Sequence, residues 1–93
     1  MSANGAIRKT VAVANPNGLH MRPATLFALA ARTYRSVVTV WNGDRRADGK
    51  SSLDLILLVA LPGAELVLEV DGDDAADAIG PLADLLGSPG EDT

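Results

Sequence analysis

Between Glu65 and Val70 the chain alternates strictly, ELVLEV, and on either side the apolar spacing changes to the three-to-four rhythm of a helix. The succession of these two periods bounds the fold more tightly than any other feature. An alternating segment buries one face of a sheet, and a three-to-four segment buries one stripe of a helix. Ile7 to Ala14 is β-rich with partial alternation and ends at the turn Asn15-Pro16-Asn17-Gly18. The spacing predicts a helix from Met21 to Thr33, with Ala24, Phe27, Ala31 and Tyr34 on the buried stripe and Arg22, Arg32 and Arg35 off it. Ser36 to Trp41 is a β-branched strand, and Asn42-Gly43-Asp44 turns it into a short polar edge strand at Arg45 to Ala47. Ser51 caps a short helix running to Val59, with Leu55, Leu58 and Val59 facing inward, and Pro62-Gly63 stops it. After the strong strand, Asp71-Gly72-Asp73 turns the chain into a helix from Asp74 to Leu86. Its buried stripe is Ala75, Ala78, Ile79, Leu82, Leu85 and Leu86, with a kink or break expected at Gly80-Pro81. A polar tail, expected to fray, follows from Gly87 to Thr93.

The order βαββαβα fits an α+β domain in which a four-stranded, mainly antiparallel sheet carries its helices on one face. Ninety-three residues suit a single domain, 1–93, with an ordered core at about 6–87. With Phe27, Tyr34 and Trp41 the only aromatics, that core is aliphatic. The absence of cysteine excludes disulfides, thiolate metal sites and thiol nucleophiles. Met1 to Gly18 holds no uninterrupted apolar core of signal-peptide length, and the longest apolar run, Leu55 to Leu61, is far too short to span a bilayer, so a soluble cytoplasmic protein without membrane insertion is expected. Charge divides along the chain. Eight bases face two acids through Lys50, whereas ten acids and no base follow it. An acidic balance without an aromatic-basic cluster argues against nucleic acid, while the basic first half suits an acidic protein partner.

The chemistry concentrates in Asn15-Pro-Asn-Gly-Leu-His-Met-Arg-Pro-Ala24. The turn delivers His20, the only histidine, to the first position of a helix, beside amides that have no intrahelical acceptor. Those amides and the macrodipole favour negative charge, and Arg22 brings a guanidinium that forks onto phosphoryl oxygens. Pro23 in the first turn sacrifices no helical hydrogen bond. A neutral imidazole is a competent nucleophile. Helix-terminal stabilisation of an anion is worth about 0.3–2 kcal/mol, and a charge-assisted hydrogen bond about 1.5–3 kcal/mol. Together they retain a phosphoryl group without trapping it. With no metal, general-base partner or second histidine, the pattern suits a carrier better than an enzyme.

Gly18-Leu19-His20-Met21-Arg22-Pro23-Ala24 resembles the active-site signature of the HPr family, the phosphocarriers of the phosphoenolpyruvate-dependent phosphotransferase system. The resemblance extends over roughly Ile7 to Leu86, including Lys50-Ser51 and Gly63-Ala64-Glu65. It implies an open-faced β-sandwich of four antiparallel strands with three helices on one face. It also implies phosphoryl transfer from enzyme I to the delta nitrogen of His20 and onward to IIA domains, with no cofactor and no metal. The alternative is a regulatory paralogue of the nitrogen-type branch, whose phosphorylation state modulates partners without sugar uptake. Met21, Thr25, Leu53 and Ile56 match the family's docking patch, although Leu53 and Ile56 also read as core. Ser51 reads as a plain helix cap. The resemblance adds a second reading, since in some members the matching serine is phosphorylated by a dedicated HPr kinase. A monomer is the default for a shuttle that shows one face to successive partners.

Two other signals fail on spacing. Gly43 and Gly49 are separated by five residues where a nucleotide-binding P-loop has four, and Asp71, Asp73, Asp74 and Asp77 lack the ligand spacing of a calcium loop.

Overall fold

The computed structural model describes residues 6–89. Its elements are β1 (Ala6–Ala12), α1 (Met21–Ala31), β2 (Val37–Asn42), β3 (Arg45–Asp48), α2 (Ser52–Ile56), β4 (Glu65–Asp71) and α3 (Ala75–Leu86). The strands form one sheet in the order β1-β4-β2-β3, every neighbouring pair antiparallel. The expected open-faced α+β sandwich is therefore the observed one.

Register explains why one face is covered. Leu66, Leu68 and Val70 of β4 lie opposite Val11, Lys9 and Ile7 of β1, and Leu68 and Val70 lie opposite Val40 and Val38 of β2. Val11, Val38, Val40, Ala47, Leu66, Leu68 and Val70 are buried and join Phe27 of α1, Leu55 of α2 and Leu82 of α3 in one core. The other face is open. On it Arg8 pairs with Glu69 at 3.4 Å. Trp41 donates its indole N–H to Glu69 Oε1 (3.3 Å), and the Arg46 guanidinium lies 5.8 Å from the indole centroid.

The helices depart from expectation at their ends. α1 stops at Ala31 and does not reach Thr33. The N–H and hydroxyl of Thr33 both bond Ala30 O, at 3.1 and 2.7 Å, so a local side-chain contact tightens the last turn and closes the helix. α2 ends at Ile56, short of Val59. Leu55 and Leu58 face inward as expected, but Val59 is exposed with φ +52°. Beyond Ile56 the burial pattern has period two, with Leu58 and Ala60 in and Leu57, Val59 and Leu61 out. α3 runs unbroken through Gly80-Pro81. Pro81 removes a single hydrogen bond, and Gly80, lacking a Cβ, relieves part of the clash that proline imposes on the residue before it. Ala83 is buried in the stripe and Leu85 lies at its exposed edge. Strand ends shift by one or two residues: β1 stops at Ala12, β2 spans Val37–Asn42 and β3 takes in Asp48. Of the expected frayed tail, residues 90–93 lie outside the described residues.

Candidate functional site

The approach to His20 is built by a turn with little freedom. Asn15 Oδ1 accepts from Asn17 N–H (2.8 Å), and Gly18 N–H donates to Asn15 O (2.9 Å). Gly18 has φ +73°, and a Cβ there would stand 2.5 Å from Ala60 O. Only glycine satisfies both the backbone angle and the space. The buried Leu19 then donates its N–H to the same Ala60 O at 2.9 Å, tying the turn to the segment between α2 and β4.

His20 is the N-cap of α1, one step before the first helical position that the sequence suggested. Its backbone is extended (φ −88°, ψ −170°), its side chain makes no capping hydrogen bond, and the residue is exposed. The first helical bond, Ala24 N–H to His20 O, measures 3.0 Å. The amides of Met21 and Arg22 precede it and have no acceptor within the helix, and Pro23 has no N–H to leave unpaired. His20 and the exposed Arg22 line one open depression of about 540 Å³ together with Asn17, Pro23, Leu26 and Leu85. A ring nitrogen there is free to attack an electrophile, and the anion it acquires would sit at the positive end of α1.

The remaining candidate residues lie along α1 and α2, which pack against each other. Met21 and Leu53 are 69% and 64% exposed, Thr25 is exposed, and Ile56 divides its surface between the core and solvent. Leu53 therefore does not belong to the core. Leu57 and Leu61, to which the sequence assigned no role, are also exposed, as is Val59, which the helical spacing had placed inward; the period-two pattern around Leu58 and Ala60 is the signal for all three. Ser51 caps α2, its Oγ accepting from Asp54 N–H at 3.2 Å. Beside it Arg32 Nε donates to Lys50 O (2.9 Å), and Lys50 Nζ donates to Tyr34 O (2.8 Å), clasping the end of α1 to the start of α2.

At the other end of α1, the Asp74 carboxylate accepts from the Ser36 hydroxyl (2.5 Å) and from the N–H groups of Arg35 (2.8 Å) and Ser36 (3.0 Å). The Ser36 hydroxyl foremost, and then these amides, hold its pKa below the ordinary 3.8. Among the described residues, no three His, Cys, Asp or Glu side chains converge as a metal site, and no helix is long and apolar enough to cross a membrane.

An open-faced sandwich offering one uncommitted imidazole at a helix mouth has the form of a phosphoryl carrier. The chain belongs to the PTS-HPr family, whose model, described as the PTS HPr component phosphorylation site, matches residues 7–88. The phosphocarrier protein HPr of Neisseria meningitidis serogroup A is 36% identical over 80 residues, covering 86% of this chain and 90% of its own length. The Haemophilus influenzae HPr is 36% identical over 78 residues, covering 84% and 92%. Among solved structures, HPr of Thermoanaerobacter tengcongensis superposes with a TM-score of 0.84 at 33% identity, over 94% of this chain and 99% of that one. HPr of Bacillus anthracis gives 0.82 at 27% identity, over 87% and 96%.

Proposed function

We propose that His20 accepts a phosphoryl group from phosphorylated enzyme I on its delta nitrogen and donates it to a IIA domain, acting as a monomeric cytoplasmic shuttle. The lone pair of the unprotonated ring nitrogen attacks phosphorus. A new N–P bond forms as the donor's bond to phosphorus breaks, and the donor atom keeps that electron pair. The unpaired amides at the start of α1 and the Arg22 guanidinium then hold the phosphoryl oxygens until an acceptor repeats the exchange in the same sense. Met21, Thr25, Leu53 and Ile56 form the surface on which successive partners dock. Neither a cofactor nor a metal enters this scheme, and the chain is a stoichiometric intermediate of the relay.

The observation that carries this reading is the position of His20, exposed at the N-cap with no hydrogen bond from its ring to the helix start. Family membership supports it. A related segment also occurs in the phosphoryl donor subunit of a dihydroxyacetone kinase from Providencia stuartii, 34% identical over 73 residues that make up 15% of that protein. The same kind of module thus serves more than one relay. The test is incubation with enzyme I and phosphoenolpyruvate followed by mass spectrometry. One acid-labile phosphate is expected, absent in His20→Ala; its retention in that variant overturns the assignment. Passage of the label to a sugar-specific IIA domain selects the transport branch over the regulatory one.

A further inference from the structure

The last residue of β2 reaches out of the sheet. Trp41 faces the bare side, so Asn42, one residue on, turns toward the helices, where its Nδ2 donates to Leu58 O at 2.9 Å. Asn42 also stands opposite Arg45 at the end of the β2–β3 ladder, so the sheet holds its backbone. Leu58 is buried, which fixes the other partner. Two residues further along, Ala60 O accepts the N–H of Leu19 at 2.9 Å, and Leu19 precedes His20 directly in the chain. A path of two hydrogen bonds and a short run of backbone thus leads from the β2–β3 hairpin to the imidazole.

Between those two carbonyls stands Val59, the one non-glycine residue with positive φ among those described, at +52°. A β-branched residue adopts this conformation at a cost, and glycine without one. The Val59 side chain is exposed, so burial in the core does not hold the residue there. Its neighbours do. The carbonyl before it is taken by Asn42 and the carbonyl after it by Leu19. Rotating Val59 to negative φ turns the two peptide groups against each other, and the two acceptors then cannot both keep their donors. A strained residue persists only where its surroundings over-determine it, and here the over-determining contacts are the two links of the path. There is no slack at the far link either, because Ala60 O lies against the backbone of Gly18 so closely that a Cβ there would stand 2.5 Å away.

We propose that Asn42 is a positioning residue for phosphoryl transfer. Its side-chain amide holds Leu58 O, keeps Val59 in the left-handed region and aims Ala60 O at Leu19 N–H, which fixes the direction in which His20 leaves its turn. The proposal rests on the relay reading of His20 and adds to it a residue that touches neither the imidazole nor the phosphoryl group. Its effect is on the rate of transfer at a docked His20, since a displacement of about 1 Å at a reacting group costs up to about a hundredfold in rate.

The experiment compares Asn42→Ala, Asn42→Asp, Val59→Gly and the double variant Asn42→Ala/Val59→Gly. Transfer from phosphorylated enzyme I is followed by rapid quench over a range of carrier concentrations, and hydrogen exchange is read at the Leu19 amide. In Asn42→Ala the rate at saturation is expected to fall about tenfold, and the Leu19 amide to exchange about tenfold faster. The half-saturating concentration is expected to move by less than about twofold, because docking is not what is lost. Asn42→Asp keeps the shape, loses the donor and is expected to behave alike; it carries the comparison if Asn42→Ala does not fold. Glycine accepts positive φ freely, so the double variant is expected to recover most of the rate and of the Leu19 protection. Asp74→Asn loosens the far end of α1 and serves as the control for lost stability, lowering the melting temperature while leaving both readouts as in the parent. Unchanged transfer and exchange in both Asn42 variants overturn the proposal. So does an effect confined to the half-saturating concentration, a fall in rate matched by Asp74→Asn, or a double variant no better than Asn42→Ala. If the parent chain takes no label at His20, the relay reading itself fails. If it takes the label and the Asn42 variants transfer normally, only the positioning role is refuted.

Discussion

At the scale of single residues, the approach to His20 depends on one glycine. Gly18→Ala meets both a left-handed backbone angle and an approach of 2.5 Å to Ala60 O, and that carbonyl is also the acceptor for Leu19. Loss of about 1–3 kcal/mol in urea unfolding is expected. Phosphoryl acceptance should fall further than stability does, because the same shift displaces His20. Asp74 supplies the pH dependence. Its folded pKa lies below its ordinary value, so the stability it contributes is present above about pH 4 and is lost as pH falls through the lowered folded value. Denaturation midpoints followed down from neutral pH should drop less steeply in Asp74→Asn than in the parent. An equal slope in both would show that the Ser36 and Arg35 contacts do not favour the ionised form. Arg22→Gln leaves the N-terminal amides in place and removes one charge-assisted partner. The half-life of the phosphorylated protein, followed by loss of label, is expected to shorten by about tenfold, at the low end of what such a hydrogen bond is worth.

At the scale of elements, local sequence was legible wherever one period ran undisturbed. The alternation of Glu65–Val70 gave β4 and the faces of its side chains, and the stripe through Ala24, Phe27 and Ala31 gave the body of α1. What was not legible is where periods change. The inward placement of Val59 followed from extending the helical rhythm past Ile56, where the backbone had already turned to an alternating pattern. The break expected at Pro81 weighed one missing N–H against none of the packing that Ala78, Leu82, Ala83 and Leu86 provide together. Pro81→Ala restores that N–H on an exposed position of α3, and a gain of about 1–3 kcal/mol in unfolding free energy is expected. Ser51→Ala removes the oxygen that accepts Asp54 N–H from a helix of only five residues, and a loss of about 1 kcal/mol is expected. A negligible loss would leave the hydroxyl without a structural task. The site shows the same division. His20 and Arg22 stood out because the motif around them is local. Leu57 and Leu61 did not, because their exposure depends on how the segment is tied to Asn42 and Leu19, far away in sequence.

At the scale of the whole molecule, the sheet order β1-β4-β2-β3 places the first and last strands side by side and leaves one face bare. The residues to which the proposed function assigns phosphoryl chemistry and docking lie on the helical side and its rim, and the bare side carries none of them. The one tryptophan sits on that bare side, held between Glu69 and Arg46. The chain thus contains a native optical reporter that registers the integrity of the sheet and is screened by it from events at the helix mouth. Its emission should change sharply on unfolding and stay level while a partner binds, so folding and exchange can be followed separately in one cuvette.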